Sequence, residues 1–193
     1  MCIPTGSTND FANTLNLPAD PVEVARYIVK SDSHYFDIGT FNDRYFCYTA
    51  SFGAFTKASY TTPQNIKNIL GHTAYLLEGI QELSQLRKEH VKIILDGNTL
   101  EDDYLFCAIC NSTHLGGILT IDPSLIDMSD GKFELVLIRA PKNLQELRES
   151  VVALHTGQYN CATICFRSAD SIEIITSSNI RSSLDYTRKH WKH

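Results

Sequence analysis

The second half of the chain is a series of strand-like segments joined by short turns, and this pattern constrains the fold most. The segments HVKIILD (90–96) and TLEDDYLFCAICNS (99–112) flank an Asp-Gly-Asn turn, and KFELVLIR, ATICFRS and SIEIITS follow. An earlier pair, HYFDIGTF and RYFCYTAS, flanks Asn42-Asp43. Short apolar runs separated by Asp-Gly or Asn-Asp turns are typical of hairpins. We therefore predict a mainly antiparallel sheet.

A few segments carry helical patterns. Asp20 and Pro21 are a typical N-cap and first position for a short helix in LPADPVEVARYIVK. The segment PQNIKNILGHTAYLLEGIQELSQL (63–86) has apolar residues at three- and four-residue steps, and NLQELRESVVALHTG ends at Gly157, a typical helix stop. One or two further helical turns are predicted from Asp10 to Leu15. The expected fold is α+β: one domain over 1–193, rich in antiparallel strands, with two or three packed helices.

Composition excludes some functional classes. The net charge of −5 argues against a nucleic-acid-binding protein, which usually presents a basic surface. No apolar run approaches the roughly 20 residues that cross a bilayer, and the N-terminus lacks a secretory signal pattern. Most of the six cysteines lie in apolar, strand-like segments, where reduced cysteine packs as a small hydrophobic residue. We therefore predict a cytoplasmic location.

The opening TGSTND, residues 5–10, is the first candidate site. Gly6 permits a tight turn, Ser7 and Thr8 offer hydroxyls, and a helix predicted to begin near Asn9 would present backbone N–H groups to a phosphate. The same small polar residues also form an ordinary N-cap, so both interpretations stay open. Neither a GxxxxGK[ST] nor a GxGxxG loop occurs in the chain.

The segment NSTHLGGILTIDPSLIDMSDGKFEL, residues 111–135, is the second candidate site, and Gly116-Gly117 permits close backbone approach there. Asp122, Asp127 and Asp130 are carboxylates of the kind that Mg²⁺ prefers. The alternative is a solvated loop that ends in the turn Asp130-Gly131. On spacing alone the turn is favoured.

Isolated candidates carry weaker signals. Cys107 and Cys110 form a CxxC within a predicted strand, where residues three apart point to opposite faces, so we expect the two thiols to diverge. His114, beside Gly116-Gly117, is the histidine most worth following, and no Ser/His/Asp arrangement can be recognised from spacing.

Together these segments resemble one family. Pro4 to Ala12 match its P-x-GT-x-NDFA motif with Ser7 in place of the usual Thr, and the likeness continues through FDIGTFNDRYF, ASFGAF, SYTTPQNIKNILGHTAYLLEGI, CNSTHLGGI and DGKFELVLI. The chain is similar to the diacylglycerol kinase and bacterial lipid kinase family. That family has an ATP-binding lobe with a GGDGT loop and a β-sandwich lobe, and it transfers phosphate from ATP to a lipid hydroxyl between them. The resemblance implies that this chain is the second lobe, a β-sandwich-like lobe with two or three packed helices.

The resemblance also implies roles for individual residues. It makes ATP and Mg²⁺ the expected cofactors and a diacylglycerol-like lipid the expected substrate. The implied cofactor-binding residues are Gly6, Ser7, Thr8 and Asn9, the implied catalytic residues are Asp10 and Asn9, and the implied metal-binding residues are Asp130 and Asp127.

Two departures from the family's pattern bear on activity. No GGDGT occurs, and SSLD (182–185) is followed by Tyr186 where the family has Gly-Glu, whose Glu acts as general base. We therefore expect an incomplete lobe, weak or inactive alone, that needs a separate nucleotide lobe or a homodimer, so whether the chain is itself an enzyme stays open. The alternative is a non-catalytic lipid- or partner-binding domain. A lipid substrate would bring the protein to the inner membrane face as a peripheral protein.

Overall fold

The structure is a computed structural model that describes residues 2–6, 8–41, 44–53, 88–116, 119–159, 161–176 and 181–187. The helix predicted over 63–86 lies outside these residues, as does Ser7. The helices are α1 (Asp10–Thr14), α2 (Pro21–Lys30) and α3 (Leu144–Thr156), with a 3₁₀ turn at Pro123–Leu125. The strands are β1 (Ile38–Phe41), β2 (Arg44–Phe46), β3 (Thr49–Gly53), β4 (Glu89–Leu95), β5 (Asn98–Cys110), β6 (His114–Leu115), β7 (Leu119–Thr120), β8 (Phe133–Arg139), β9 (Ile164–Ala169), β10 (Ser171–Thr176) and β11 (Arg181–Thr187).

Nine strands form one hydrogen-bonded sheet, in which every pair is antiparallel. Along its main path the order is β2-β1-β11-β10-β4-β5-β8-β9. The strands β6 and β7 form a separate small hairpin. Two predicted hairpins are confirmed: β1 pairs with β2, and β4 pairs with β5 through Leu95 opposite Asn98. Both turn residues of the second, Asp96 and Gly97, have positive φ, as a two-residue hairpin turn requires.

The sheet branches at the long strand β5. Its first half pairs with β4, from Asn98 to Tyr104, and its second half pairs on the same edge with β3, from Phe106 to Cys110. The register to β8 shifts between Tyr104 and Phe106, which marks a bulge. Because one strand serves two partners in succession, the sheet divides into two leaves.

Apolar side chains cover both faces of β5 and β8. One cluster joins Cys107, Ile109 and Leu135 to Ile93 of β4 and Ile172 of β10. The second cluster lies on the opposite face, where Ala108, Cys110, Val136 and Ile138 pack with Ala153 of α3 and with the β6–β7 hairpin. The predicted α+β, sandwich-like fold is confirmed.

The helix ends follow the predicted signals. Asp20 caps α2 by accepting hydrogen bonds from the N–H groups of Val22 and Glu23, with Pro21 at the first position. Gly157 ends α3 at φ 70°, a left-handed conformation that costs glycine little. In the part of the chain that the structure describes, no helix is long and apolar enough to cross a membrane.

Cys107 and Cys110 lie in different apolar clusters on opposite faces of β5, as their spacing predicted. Burial raises the pKa of both thiols, so they remain protonated. All six cysteines are free thiols.

Candidate functional site

The TGSTND loop is closed by its own asparagine. Asn9 adopts the left-handed conformation at φ 51° and ψ 36°, which asparagine tolerates better than most residues. Its side-chain Oδ1 accepts a hydrogen bond from the N–H of Gly6 at 2.8 Å, and the side-chain amide of Asn13 donates to the carbonyl of Thr8 at 2.9 Å. Asn9 precedes α1 but makes no side-chain capping bond to this helix. The ordinary N-cap interpretation of the loop is therefore wrong for Asn9, because its side chain turns back towards Gly6.

Asp10 follows this loop and is nearly buried, with 8% of its surface exposed. The hydroxyl of Tyr48 donates to Oδ2 of Asp10 at 2.9 Å, and the same hydroxyl accepts from the N–H of Gly116 at 3.1 Å. Burial is the main cause that raises the pKa of Tyr48, and the Asp10 carboxylate raises it further. The loop, the segment between β2 and β3, and the β6–β7 turn thus meet at one oxygen atom.

A cluster of hydroxyls fixes α1 to the end of β5. Oγ1 of Thr14 donates to the carbonyl of Asp10 at 3.0 Å and lies 2.7 Å from Oγ of the fully buried Ser112. The N–H of Thr113 donates to the same Thr14 oxygen at 3.2 Å. Oγ1 of Thr113 is 2.8 Å from Nδ1 of His114, so the histidine singled out in the sequence belongs to this cluster.

The predicted metal-binding residues lie in a different loop, before β8. Asp127 and Asp130 are exposed, and each uses Oδ1 within its own turn: Asp127 accepts from the N–H and hydroxyl of Ser129, and Asp130 accepts from the N–H of Lys132. The bonds from Ser129 lower the pKa of Asp127. Among the described residues, no group of three His, Cys, Asp or Glu side chains is arranged to hold a metal ion.

Two buried polar side chains clamp this loop. The carboxylate of Asp37 accepts from the N–H of Gly131 at 2.7 Å, and its N–H donates to the carbonyl of Met128 at 2.8 Å. The side-chain amide of Asn111 donates to the carbonyls of Asp37 and Met128, both at 3.2 Å. Since Asn111 directly follows β5, the loop and the hydroxyl cluster are anchored at the same strand end.

Glu134, on β8, is a buried carboxyl group that the sequence analysis did not single out. Only 1% of its surface is exposed, and its Oε2 has no hydrogen-bond partner among the described residues. Burial raises the pKa of Glu134 to about 8, and the charges of Asp130 and Asp127 add to the rise. Oε1 accepts a long hydrogen bond of 3.5 Å from the hydroxyl of Ser168.

The structure thus brings Gly6, Asn9 and Asp10 together in one loop, with Thr8 bound to the following helix. Tyr48 is not among the site residues predicted from the sequence. The bond from Tyr48 to Asp10 spans 38 residues. An aromatic residue in a strand-like segment carries no signal of such a bond, so only the folded chain reveals it.

Comparisons with known proteins agree with this fold. The family described as the YegS C-terminal NAD kinase beta sandwich-like domain matches residues 50–185, and the diacylglycerol kinase catalytic domain matches residues 1–41. The diacylglycerol kinase of Bacillus subtilis (strain 168) is 28% identical over 184 residues, which cover 95% of this chain and 60% of that protein. The diacylglycerol kinase of Staphylococcus aureus (strain JH9) is 29% identical over 95% of this chain and 58% of that protein.

A solved structure is similar as well. The crystal structure of a diacylglycerol kinase from Bacillus anthracis strain Sterne matches with a TM-score of 0.66 and 23% identity, over 98% of this chain and 64% of that chain. The chain therefore spans about three fifths of the length of the curated relatives that it matches. Its β-sandwich domain, which makes up most of the sequence, places the chain in the bacterial diacylglycerol kinase family.

Proposed function

We propose that this chain is a lobe of an ATP- and Mg²⁺-dependent lipid kinase that phosphorylates a lipid hydroxyl such as that of diacylglycerol. The observation that carries the proposal is the nearly buried carboxylate of Asp10, held by the hydroxyl of Tyr48 beside a loop closed by Asn9. A carboxylate fixed in this way next to exposed backbone is suited to orient charged groups during phosphoryl transfer, which depends on positioning and charge stabilisation.

The residues of the loop have distinct parts in this proposal. Thr5 and Gly6 are exposed, and a phosphate group bound there would take the N–H of Gly6 from the side chain of Asn9. Asn9 holds the loop closed, because its side chain already binds the N–H of Gly6. We assign phosphate contact to Gly6, Ser7, Thr8 and Asn9, and orientation of the reacting groups to Asp10 with Asn9.

The fit of the chain to Mg²⁺ rests on the loop before β8. Asp127 and Asp130 supply exposed carboxylate oxygens of the kind that Mg²⁺ prefers, and an ion there would compete with the bonds that each carboxylate accepts within its own turn. Asp127 and Asp130 would hold the ion. Bound there, Mg²⁺ would supply positive charge to offset these two carboxylates.

The remaining parts of the proposal concern partners and location. A nucleotide lobe or a second copy of this chain would complete the ATP site. A diacylglycerol-like substrate requires contact with a membrane surface, which makes the protein a peripheral component of the inner membrane face within the cytoplasm.

The test is transfer of labelled phosphate from ATP-Mg²⁺ to diacylglycerol in mixed micelles. We expect Asp10→Asn to lower the rate by about 10²-fold or more, as is common when a charged group that stabilises or deprotonates the reacting atoms is removed. Asp32→Asn, which neutralises an exposed carboxylate in the segment between α2 and β1, is the matched control and should transfer at the wild-type rate.

Equal rates in the wild type and in Asp10→Asn would overturn the proposal for this chain. Sedimentation with diacylglycerol-containing vesicles then tests the alternative. Binding to vesicles that persists in Asp10→Asn, with no transfer in either protein, would identify a non-catalytic lipid-binding domain.

A further inference from the structure

Tyr48 stands where three separate segments of the chain meet. It lies between β2 and β3, its hydroxyl donates to Oδ2 of Asp10 at 2.9 Å, and the N–H of Gly116 donates to that hydroxyl at 3.1 Å. We propose that Tyr48 is a positioning residue, which holds the carboxylate of Asp10 in its working orientation and couples it to Gly116, at the end of β6. This inference rests on the proposed function, because that function gives the orientation of Asp10 its purpose.

The hydroxyl proton of Tyr48 has one direction available to it. A tyrosine hydroxyl donates a single hydrogen bond, and a backbone N–H can only donate. Since Gly116 supplies its N–H to the hydroxyl, the proton of Tyr48 points to the carboxylate of Asp10. Burial raises the pKa of Tyr48, which keeps this proton in place over the pH range in which kinases work.

The rest of Tyr48 is fixed independently of this bond. Its ring packs edge-on against the ring of Phe11, with centroids 6.3 Å apart and an interplanar angle of 71°. Its carbonyl accepts from the N–H of Asn111 at 3.0 Å. Because backbone and ring are both held, the hydroxyl oxygen is a rigid point, and Asp10 is oriented by it.

The coupling to Gly116 adds a second consequence. Gly116 is exposed and has a positive φ of 62°, and it ends the segment that carries the hydroxyl cluster of Ser112, Thr113 and His114. Loss of the Gly116 N–H from the hydroxyl weakens the bond from that hydroxyl to Asp10, because hydrogen bonds in a chain polarise one another. Tyr48 thereby links the position of the Gly116 N–H to the strength of the bond that holds the carboxylate.

Another tyrosine provides a matched control. The hydroxyl of Tyr159 donates to the carbonyl of Thr120, in the same β6–β7 hairpin, at 2.6 Å. Tyr159→Phe removes a comparable hydrogen bond from the same hairpin without touching Asp10. A purely structural role for Tyr48 predicts similar results for Tyr48→Phe and Tyr159→Phe.

The first measurement is the rate of lipid phosphorylation in four variants of the full chain: Tyr48→Phe, Tyr159→Phe, Asp10→Asn and the double variant Tyr48→Phe/Asp10→Asn. We expect Tyr48→Phe to lower kcat by roughly 10- to 100-fold at an unchanged KM for the lipid, since small misplacements have effects of this size. The double variant should be no slower than Asp10→Asn, because Tyr48 acts through Asp10. Equal losses in the two phenylalanine variants, or a Tyr48→Phe effect that persists undiminished beside Asp10→Asn, would overturn the inference.

The second measurement needs neither ATP nor lipid. The ¹³Cζ chemical shift of Tyr48 at neutral pH reports the hydrogen bonding of its hydroxyl, and it should change in Asp10→Asn and stay unchanged in Tyr159→Phe. Exchange of the Gly116 amide proton with solvent should accelerate in Tyr48→Phe and stay unchanged in Tyr159→Phe. An unchanged Tyr48 shift in Asp10→Asn, or unchanged exchange of Gly116 in Tyr48→Phe, would show that the three groups are not coupled.

The two measurements separate this inference from the kinase proposal. If the wild type transfers no phosphate, the proposed function fails, and the substrate-free measurements decide by themselves whether Tyr48 holds Asp10. If transfer depends on Asp10 but is indifferent to Tyr48→Phe, the kinase proposal stands and the positioning role is wrong.

Discussion

The two halves of β5 belong to one strand but lie in different environments. From Asn98 to Asp103 every residue is exposed or half-buried, whereas from Tyr104 to Cys110 every residue is buried. The first half pairs with β4 and carries charged side chains, and the second half pairs with β3 and β8 between two apolar clusters. The buried half leads directly into Asn111 and the hydroxyl cluster, so the candidate site is anchored where the strand is held on both faces. We therefore expect substitutions around the buried half to have larger effects than equivalent ones around the exposed half.

Substitutions of Gly53 and Gly97 should show the largest difference in stability between the two halves of β5. Gly53 pairs with Phe106 in the buried half, and Gly97 directly precedes the exposed half. A Cβ on Gly53, at φ 96°, would lie 2.4 Å from the carbonyl oxygen of Leu105, whereas one on Gly97, at φ 84°, would meet nothing within 4 Å. Gly53→Ala should lower the free energy of unfolding by about 2–5 kcal/mol, from backbone strain plus overlap, and Gly97→Ala by about 1–2 kcal/mol, from strain alone. Urea denaturation of the two variants checks this. Equal losses would mean that the backbone at Leu105 yields, and the contrast between the halves would be smaller than the packing implies.

Glu134 tests the buried half by pH. It pairs with Cys110 across β5 and β8, and its pKa is raised from 4.5 to about 8 in the folded chain. Glu134 ionises near pH 4.5 in the unfolded chain but only near pH 8 in the folded chain. The folded state is therefore not penalised by this group below about pH 4.5, and it loses free energy of unfolding as the pH rises from there to about 8. Each pH unit in this window corresponds to about 1.4 kcal/mol, so the total change is on the order of a few kcal/mol.

Glu134→Gln removes this titration. The difference in unfolding free energy between the variant and the wild type should grow from pH 5 to pH 8 in favour of the variant and then level off. Glu149→Gln, at an exposed position on α3, serves as the control and should leave the pH profile unchanged. A difference that is independent of pH would show that Glu134 ionises normally in the folded protein.

The same contrast explains how far the sequence predicted the fold. Local signals identified the β4–β5 hairpin through Asp96-Gly97 and the cap of α2 at Asp20, because each depends on a few neighbouring residues. The opposite faces of Cys107 and Cys110 also followed from the period of a strand. The branch at β5 could not be predicted in this way. The pairings of β3 with β5 and of β1 with β11 join distant segments, and no local pattern encodes their register.

The candidate site divides in the same way. The loop of Gly6, Asn9 and Asp10 is continuous in sequence, so composition and motif resemblance revealed it. The groups that hold it come from elsewhere: Tyr48 and Ser112 are brought to α1 only by the sheet. The predicted roles of Asp127 and Asp130 remain predictions, because the bonds within their turns are those of any Asp-rich loop.

His90 probes the exposed half and should give the smallest effect. Its Nδ1 lies 2.9 Å from the carboxylate of Asp103, its Nε2 lies 3.5 Å from that of Glu101, and these partners, Asp103 foremost, raise the pKa of His90. The ion pairs stabilise the fold fully below the ordinary histidine pKa of about 6.5, and their contribution disappears as the pH rises through the raised value. His90→Gln should therefore be slightly less stable than the wild type near pH 6 and equally stable near pH 9. Added salt should diminish the difference, because exposed charges are screened. Thermal unfolding at both pH values, with and without salt, checks this prediction. If the loss of stability at pH 6 were as large as that of Gly53→Ala, the exposed half would contribute as much to stability as the buried half. The contrast between the two halves of β5 would then be wrong.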